Sequence, residues 1–160
     1  MKRIVIAVVI AAVAIIAIVA YAQAKEDGGE AKALAGTTLT GQEFGLATTR
    51  GRPTVINFFA SWCPPCNSEA PDLVAFSKAH PEASFVGVAV NDERADTEGF
   101  VSKYGIAYPV VYDPEGGLGN DWGVTGIPTT FFLDADGVVK DTIIGAASRE
   151  QFEASLEKAL

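Results

Sequence analysis

Two cysteines three positions apart, in Trp62-Cys63-Pro64-Pro65-Cys66, are the residues of this sequence best suited to chemistry. Sulfurs at this spacing, at the start of a helix, can close a small disulfide ring and reopen it as a dithiol. Helix amide dipoles favour a thiolate, which lowers the pKa of Cys63 and makes it the nucleophile. Cys66, one turn into the helix, is then placed to attack the mixed disulfide and release a reduced substrate. This pattern predicts thiol-disulfide exchange.

Two other interpretations of the same cysteines stay open. A purely structural disulfide usually closes a long loop, whereas this ring spans two intervening residues and would constrain the unfolded chain little. A metal site would need further ligands, but the only histidine is His80 and the only methionine is Met1. A closed zinc site of four His or Cys ligands cannot be assembled from this chain alone.

An apolar, β-branched run at residues 54–59 is expected to be the central strand that delivers Cys63 to the carboxyl end of a sheet, where such sheets bind ligands. A helix should follow over residues 64–78, with a kink or restart at Pro71. Strands are predicted at 84–90 and 109–112, a helix at 96–104, and a hairpin from 129–133 and 138–144. A last helix should begin at a capping box of Ser148 and Gln151. Its apolar stripe would consist of Phe152, Leu156, Ala159 and Leu160. Alternating strands and helices indicate an α/β fold in three layers.

The amino terminus carries seventeen consecutive apolar residues, Ile4 to Ala20, after Lys2 and Arg3. This length and charge pattern predicts a membrane anchor, single-pass, with the start in the cytoplasm and the remainder outside the cell membrane. Ala22-Gln23-Ala24 also fits a signal-peptide cleavage site, which would leave the mature protein secreted or periplasmic. The expected organisation is an anchor or signal at 1–24, a linker at 25–35 and one globular domain at 36–160.

Length and charge narrow the function further. The chain has 160 residues, which allow one globular domain plus a tail. Its net charge of −8 argues against binding to nucleic acid and favours neutral or basic partners.

The motifs, in their order, resemble the thioredoxin-fold proteins of the TlpA, ResA and CcmG type. The resemblance covers about residues 36–160 and is carried by the segments 41–44, 55–66 and 126–131 together with Glu69 and Pro71. Members of this family are membrane-anchored extracytoplasmic thiol-disulfide oxidoreductases. The resemblance implies a thioredoxin-like three-layer α/β/α sandwich with an inserted β-α unit and an amino-terminal β extension, and it implies no cofactor.

The resemblance also implies a surface for substrate around the disulfide. Pro128 matches a cis-proline that faces the disulfide and leaves the backbone of Ile127 free to pair with an extended substrate. Trp62 would lie beside the first cysteine as part of this surface, with core packing as the alternative. Pro64 and Pro65 complete it, and they stiffen the ring and tune its reduction potential.

The resemblance also has implications for the acidic residues near the disulfide. Asn57 occupies the place where cytoplasmic thioredoxins carry a buried acid that moves protons for the second cysteine, so that acid is absent here. Glu69 matches an acidic residue near the disulfide in the ResA type, and would accept a proton from Cys66 or contact substrate; a solvated helix charge is the alternative. Asp92 and Glu93 resemble a second acidic spot, with plain loop charges as the alternative.

The leading hypothesis is a disulfide reductase that keeps the haem-attachment cysteines of apocytochrome c reduced. Its electrons would come from a membrane thiol transporter of the CcdA or DsbD kind. The chemistry follows from the residues, and the cytochrome substrate follows only from the resemblance. Three alternatives remain: an oxidant or isomerase for secreted proteins, a peroxide-reducing redoxin, and a binding module with a static disulfide.

Overall fold

A computed structural model describes residues 31–160 of the chain. The predicted anchor or signal at 1–24 lies outside the described residues and stays a prediction. No helix within 31–160 is long and apolar enough to cross a membrane. Residues 31–35, assigned above to the linker, belong to the folded unit, because Leu34 is buried and the Ala31 N–H donates to the Gly137 carbonyl.

Short strands and four helices alternate along this unit. In chain order they are β1 (Ala35–Thr37), β2 (Glu43–Gly45), a 3-10 helix (Leu46–Thr49), β3 (Thr54–Phe59), α1 (Pro64–Ala79), β4 (Ser84–Val90), α2 (Arg94–Tyr104), β5 (Val110–Asp113), α3 (Gly117–Asp121), β6 (Thr129–Leu133), β7 (Val139–Ile144) and α4 (Arg149–Glu157).

The main sheet is mixed, with strand order β5-β4-β3-β6-β7. Strand β3 pairs in parallel with β4 and antiparallel with β6, and the hairpin of β6 and β7 closes one edge. All six residues of β3 are buried, as expected for a central strand covered on both faces. The amino-terminal extension forms a separate antiparallel pair, β1 with β2.

The two faces of the sheet are covered differently. Helices α1, α2 and α4 pack on the face that carries Val55 and Phe59. The opposite face, with Ile56 and Phe58, is covered by Leu34, Trp122 and short elements that include the 3-10 helix and α3. The predicted sheet with both faces covered is confirmed, but only one of the two covers is a full helical layer.

In three places the structure differs in detail from what the sequence predicts. Helix α1 continues through Pro71 to Ala79 without restarting. Its packing overrides the local break, since Ala70 and Leu73 on either side of the proline are buried in the core. Leu160 does not belong to the apolar stripe of α4: it lies beyond the helix and is 75% exposed. Helix α3 was not predicted, because its glycines disfavour a helix locally.

Candidate active site

The two cysteines lie shortly after β3, at the amino end of α1. Cys63 is the N-cap residue of α1, and Pro64 and Pro65 occupy the first helical positions, where their missing N–H groups break no helical hydrogen bond. Cys63 and Cys66 form a disulfide with their Cα atoms 5.3 Å apart. The Cys66 N–H points at Cys63 Sγ over 3.2 Å, so a helix-terminal amide faces the sulfur that would carry negative charge after reduction.

The exposed surface around the disulfide is formed by the residues next to the two cysteines. Cys63 is only 2% exposed and Cys66 1% exposed. Trp62 is 61% exposed, which excludes the alternative of core packing. Pro64 and Pro65 are exposed as well. A partner that reaches Cys63 must therefore contact the indole and the proline pair.

Pro128 closes the opposite side of the disulfide. The Ile127–Pro128 peptide bond is cis, as the resemblance implied. The Ile127 carbonyl oxygen lies 3.6 Å from Cys63 Sγ, while Pro128 itself is buried. The backbone just before the cis-proline therefore lies against the sulfur of the first cysteine.

Glu69 is buried beneath the site, one turn after Cys66 on α1. It is 3% exposed, which excludes a solvated helix charge. Asn57 Nδ2 donates to Glu69 Oε1 at 2.9 Å and the Ala147 N–H donates to Oε2 at 3.1 Å. Burial raises the pKa of Glu69 from 4.5 to about 7, and the two hydrogen bonds partly oppose this rise. A carboxyl with this pKa can take or give a proton near neutral pH.

Asp92 and Glu93, the second acidic spot, differ in their exposure to solvent. Asp92 is buried and accepts hydrogen bonds from both the N–H and the hydroxyl of Ser61, each at 2.7 Å. Glu93 is exposed. Sequence reasoning did not find Ser61 or Asn91, whose carbonyl accepts a 2.9 Å hydrogen bond from Trp62 Nε1. These contacts were not predicted, because the partner residues lie about thirty positions apart along the chain.

The site contains no set of groups suited to a metal. Within residues 31–160, no three or more His, Cys, Asp or Glu side chains gather as metal ligands would. The chemistry available is that of two sulfurs, a helix-terminal amide and a buried carboxyl. A disulfide at the amino end of a helix, facing a cis-proline in a mixed α/β sheet, defines a thioredoxin-like thiol-disulfide oxidoreductase.

Comparison with known proteins agrees with this class. The chain belongs to the Redoxin family, whose family model matches residues 22–160. The thiol-disulfide oxidoreductase ResA of Bacillus anthracis is 32% identical over 133 residues, which cover 82% of this chain and 77% of ResA.

Two solved structures share the fold. A thiol:disulfide interchange protein of the thioredoxin family from Chlorobium tepidum is 36% identical, with a TM-score of 0.73 over 82% of this chain and 96% of that protein. A secreted disulfide oxidoreductase of Mycobacterium tuberculosis is 31% identical, with a TM-score of 0.72 over 78% of this chain and 94% of that protein. This protein is a thiol-disulfide oxidoreductase of the ResA and CcmG type.

Proposed function

We propose that this protein is an extracytoplasmic disulfide reductase that keeps the haem-attachment cysteines of apocytochrome c reduced. The observation that carries the proposal is the Cys63–Cys66 disulfide at the amino end of α1. Haem attachment uses a C-x-x-C-H motif, whose two cysteines can close into a disulfide outside the cytoplasm. Opening that disulfide is the reaction for which a dithiol at Cys63 and Cys66 is suited.

The reaction begins from the reduced protein. The Cys63 thiolate attacks one sulfur of the substrate disulfide, which breaks that bond, forms a mixed disulfide and releases the first substrate thiolate. The Cys66 thiolate then attacks the sulfur of Cys63, which restores the Cys63–Cys66 disulfide and releases the second substrate thiolate. Two electrons pass to the substrate, and the protons of both protein thiols end on the substrate thiols.

Glu69 is the proposed proton acceptor for Cys66. The two residues are three positions apart on α1 and both are buried, so they lie on one side of the helix. Cys66 must lose its proton before it attacks, and a buried thiol loses it less readily than an exposed one. A carboxylate with a pKa of about 7 is matched to accept that proton near neutral pH.

Trp62, Pro64, Pro65, Ile127 and Pro128 are proposed to hold the substrate. They surround the nearly buried Cys63 on both sides, and the exposed indole of Trp62 offers a large apolar contact. Ile127 is half-buried and its carbonyl oxygen lies 3.6 Å from Cys63 Sγ, which suits pairing of this backbone with an extended peptide.

The proposed location rests on the amino terminus. The apolar run from Ile4 to Ala20 follows Lys2 and Arg3, which is the pattern of a membrane anchor with an external domain. The Mycobacterium tuberculosis relative is described as secreted, which supports the same side of the membrane.

Each turnover leaves the protein oxidised, so a membrane thiol transporter of the CcdA or DsbD kind is the proposed electron donor.

The reduction potential of the Cys63–Cys66 couple tests the proposal. The full-length protein in detergent is equilibrated with glutathione redox buffers, and the free thiols are trapped by alkylation. A value near that of thioredoxin, about −270 mV, is expected for a reductase, whereas a value near about −120 mV would identify an oxidant and overturn the proposal. Cys66→Ser is the control, because it has no couple to titrate.

A further inference from the structure

The two residues that precede Cys63 are each hydrogen-bonded to one of the two residues that directly follow β4. Ser61 is bound by Asp92, and Trp62 is bound by Asn91. These contacts join segments about thirty positions apart in sequence. We call Asn91 and Asp92 the clamp.

Both carboxylate oxygens of Asp92 accept two hydrogen bonds each. Its Oδ2 accepts from the Ser61 N–H at 2.7 Å and from the Thr97 hydroxyl at 2.9 Å. Its Oδ1 accepts from the Ser61 hydroxyl at 2.7 Å and from the Glu93 N–H at 3.0 Å. With four donors and 6% exposure, the side chain is fixed on every side, and so is the backbone of Ser61.

Asn91 holds the other half through its backbone. Its φ of 50° places it in the left-handed region, and it is the only residue other than glycine with positive φ within 31–160. This conformation accompanies a carbonyl that accepts the indole N–H of Trp62 at 2.9 Å. The Asn91 amide packs tightly on Gly116, where a Cβ would come within 2.7 Å of Nδ2.

A pocket opens between the clamp and the segment before the cis-proline. Its volume is about 170 Å³, and Trp62, Asn91 and Gly116 line it together with Asn120, Thr125 and Ile127. Trp62 directly precedes Cys63 in sequence, and the Ile127 carbonyl oxygen lies 3.6 Å from Cys63 Sγ. A side chain next to a cysteine attacked by Cys63 would therefore lie within reach of this pocket.

We propose that Asn91 and Asp92 are positioning residues for exchange with protein disulfides. They fix the indole of Trp62 as one wall of the pocket, and the pocket receives a side chain that flanks the attacked cysteine of the substrate. The inference rests on the proposed function, since it needs a polypeptide substrate. The clamp does not bond to either sulfur, so a small dithiol that makes no use of the pocket does not depend on it.

Asp92→Asn is the test variant, because it keeps the size of the side chain and removes one acceptor. The amide nitrogen of asparagine must replace Oδ1 or Oδ2, and either choice leaves a backbone N–H, of Glu93 or of Ser61, facing a donor. Asp134→Asn is the matched control. Asp134 also accepts two backbone N–H groups, but it lies at the far end of β6, away from the disulfide.

Two rate constants are compared for each full-length variant. One is for reduction of the protein's disulfide by dithiothreitol, and the other is for reduction of a synthetic Cys-Ala-Ala-Cys-His peptide disulfide by the reduced protein. Asp92→Asn is expected to lower the peptide rate constant about tenfold and to leave the dithiothreitol rate constant unchanged. Asp134→Asn is expected to change neither.

The double variant Asp92→Asn with Trp62→Ala shows whether the clamp acts through the indole. The peptide rate constant should be no lower than that of Trp62→Ala alone, because the wall is already gone. Additive losses, an unchanged peptide rate in Asp92→Asn, or an equal loss with dithiothreitol would each overturn the inference. Should Asp92→Asn fail to fold, Ser61→Ala removes one of the same hydrogen bonds and is held to the same outcomes.

The proposed function fails in a different way. It fails when the wild-type protein reacts with dithiothreitol but does not reduce the peptide. The clamp is tested only through variants that depart from a wild type that does reduce it.

Discussion

Asn57 Nδ2 donates a 2.9 Å hydrogen bond to Glu69 Oε1, so a neutral amide on the central strand faces a buried carboxyl on α1. The same amide donates to the Thr130 hydroxyl at 2.9 Å. Of the two groups, only Glu69 can be charged, and no cation is among its hydrogen-bond partners. Because burial raises the pKa of Glu69 to about 7, we expect the protein's stability and its proposed reaction to depend on pH in the neutral range.

Glu69→Gln is expected to remove a fall in stability with pH. Folding raises the pKa of Glu69 from 4.5 to about 7, so between these values the folded protein binds more protons than the unfolded chain. Wild-type stability is present below the lower value and falls as pH rises through the higher one, by about 3 kcal/mol in all. Urea unfolding from acid to mildly alkaline pH measures the change.

Glutamine keeps the size of the Glu69 side chain and removes its charge, and a hydrogen bond lost at Asn57 would shift stability equally at every pH. Asp72→Asn on the exposed face of α1 is the control and should keep the wild-type slope. A wild-type slope in Glu69→Gln would contradict the assignment of the effect to Glu69.

The same substitution is expected to change the pH profile of the reaction. In the wild type, the rate of closing the Cys63–Cys66 disulfide should rise as Glu69 ionises through a pH of about 7, because the carboxylate then accepts the proton of Cys66. In Glu69→Gln this rise should be missing. Rapid-mixing measurement of peptide thiol release gives the profile, and identical profiles in both proteins would remove Glu69 from the mechanism.

The disulfide and its strand were predictable because they are local. The run in β3, the spacing of Cys63 and Cys66, and the capping box of Ser148 and Gln151 each depend on residues within a few positions of one another. Local chemistry is what a sequence displays directly. The cis peptide before Pro128 followed from the family resemblance and not from local propensity.

The environment of Glu69 was not predictable, because its partners are distant in sequence. Asn57 lies 12 positions away and Ala147 lies 78 positions away. The surroundings of Asp92 are of the same kind, since Ser61 is 31 positions away. Helix α3 was not predicted for a related reason. Its segment is poor in helix formers, and tertiary contacts such as that of Gly119 with Val90 stabilise the helix.

Asn57→Asp is expected to destabilise the protein and to raise the pKa of the acid pair. The substitution places a second carboxyl where the amide now touches Glu69, and two carboxylates cannot both ionise at that distance. One of them stays protonated well above neutral pH, and the loss of stability should grow as pH rises. Unfolding at several pH values measures this loss, and a pH-independent difference from wild type would contradict it.

Gly87→Ala is expected to destabilise the sheet by overpacking. A Cβ at Gly87 would lie 3.0 Å from Phe59 Cε1 and 3.1 Å from Val110 Cγ2, and both side chains are buried. Such crowding costs about 1 to 3 kcal/mol. Gly99→Ala is the opposite case, because a Cβ on this exposed position of α2 meets nothing within 4 Å and should add helix stability. Chemical unfolding of the pair checks both signs.

Cys66→Ala is expected to trap the substrate on Cys63. Without Cys66, the mixed disulfide cannot be resolved from within the protein, so the Cys-Ala-Ala-Cys-His peptide should stay attached and add its mass to the intact chain. Cys63→Ala is the matched control. Its remaining sulfur is the one set deeper in α1 and 1% exposed, so it should capture little peptide. Equal capture by both variants would show that the order of attack assigned to the two cysteines is wrong.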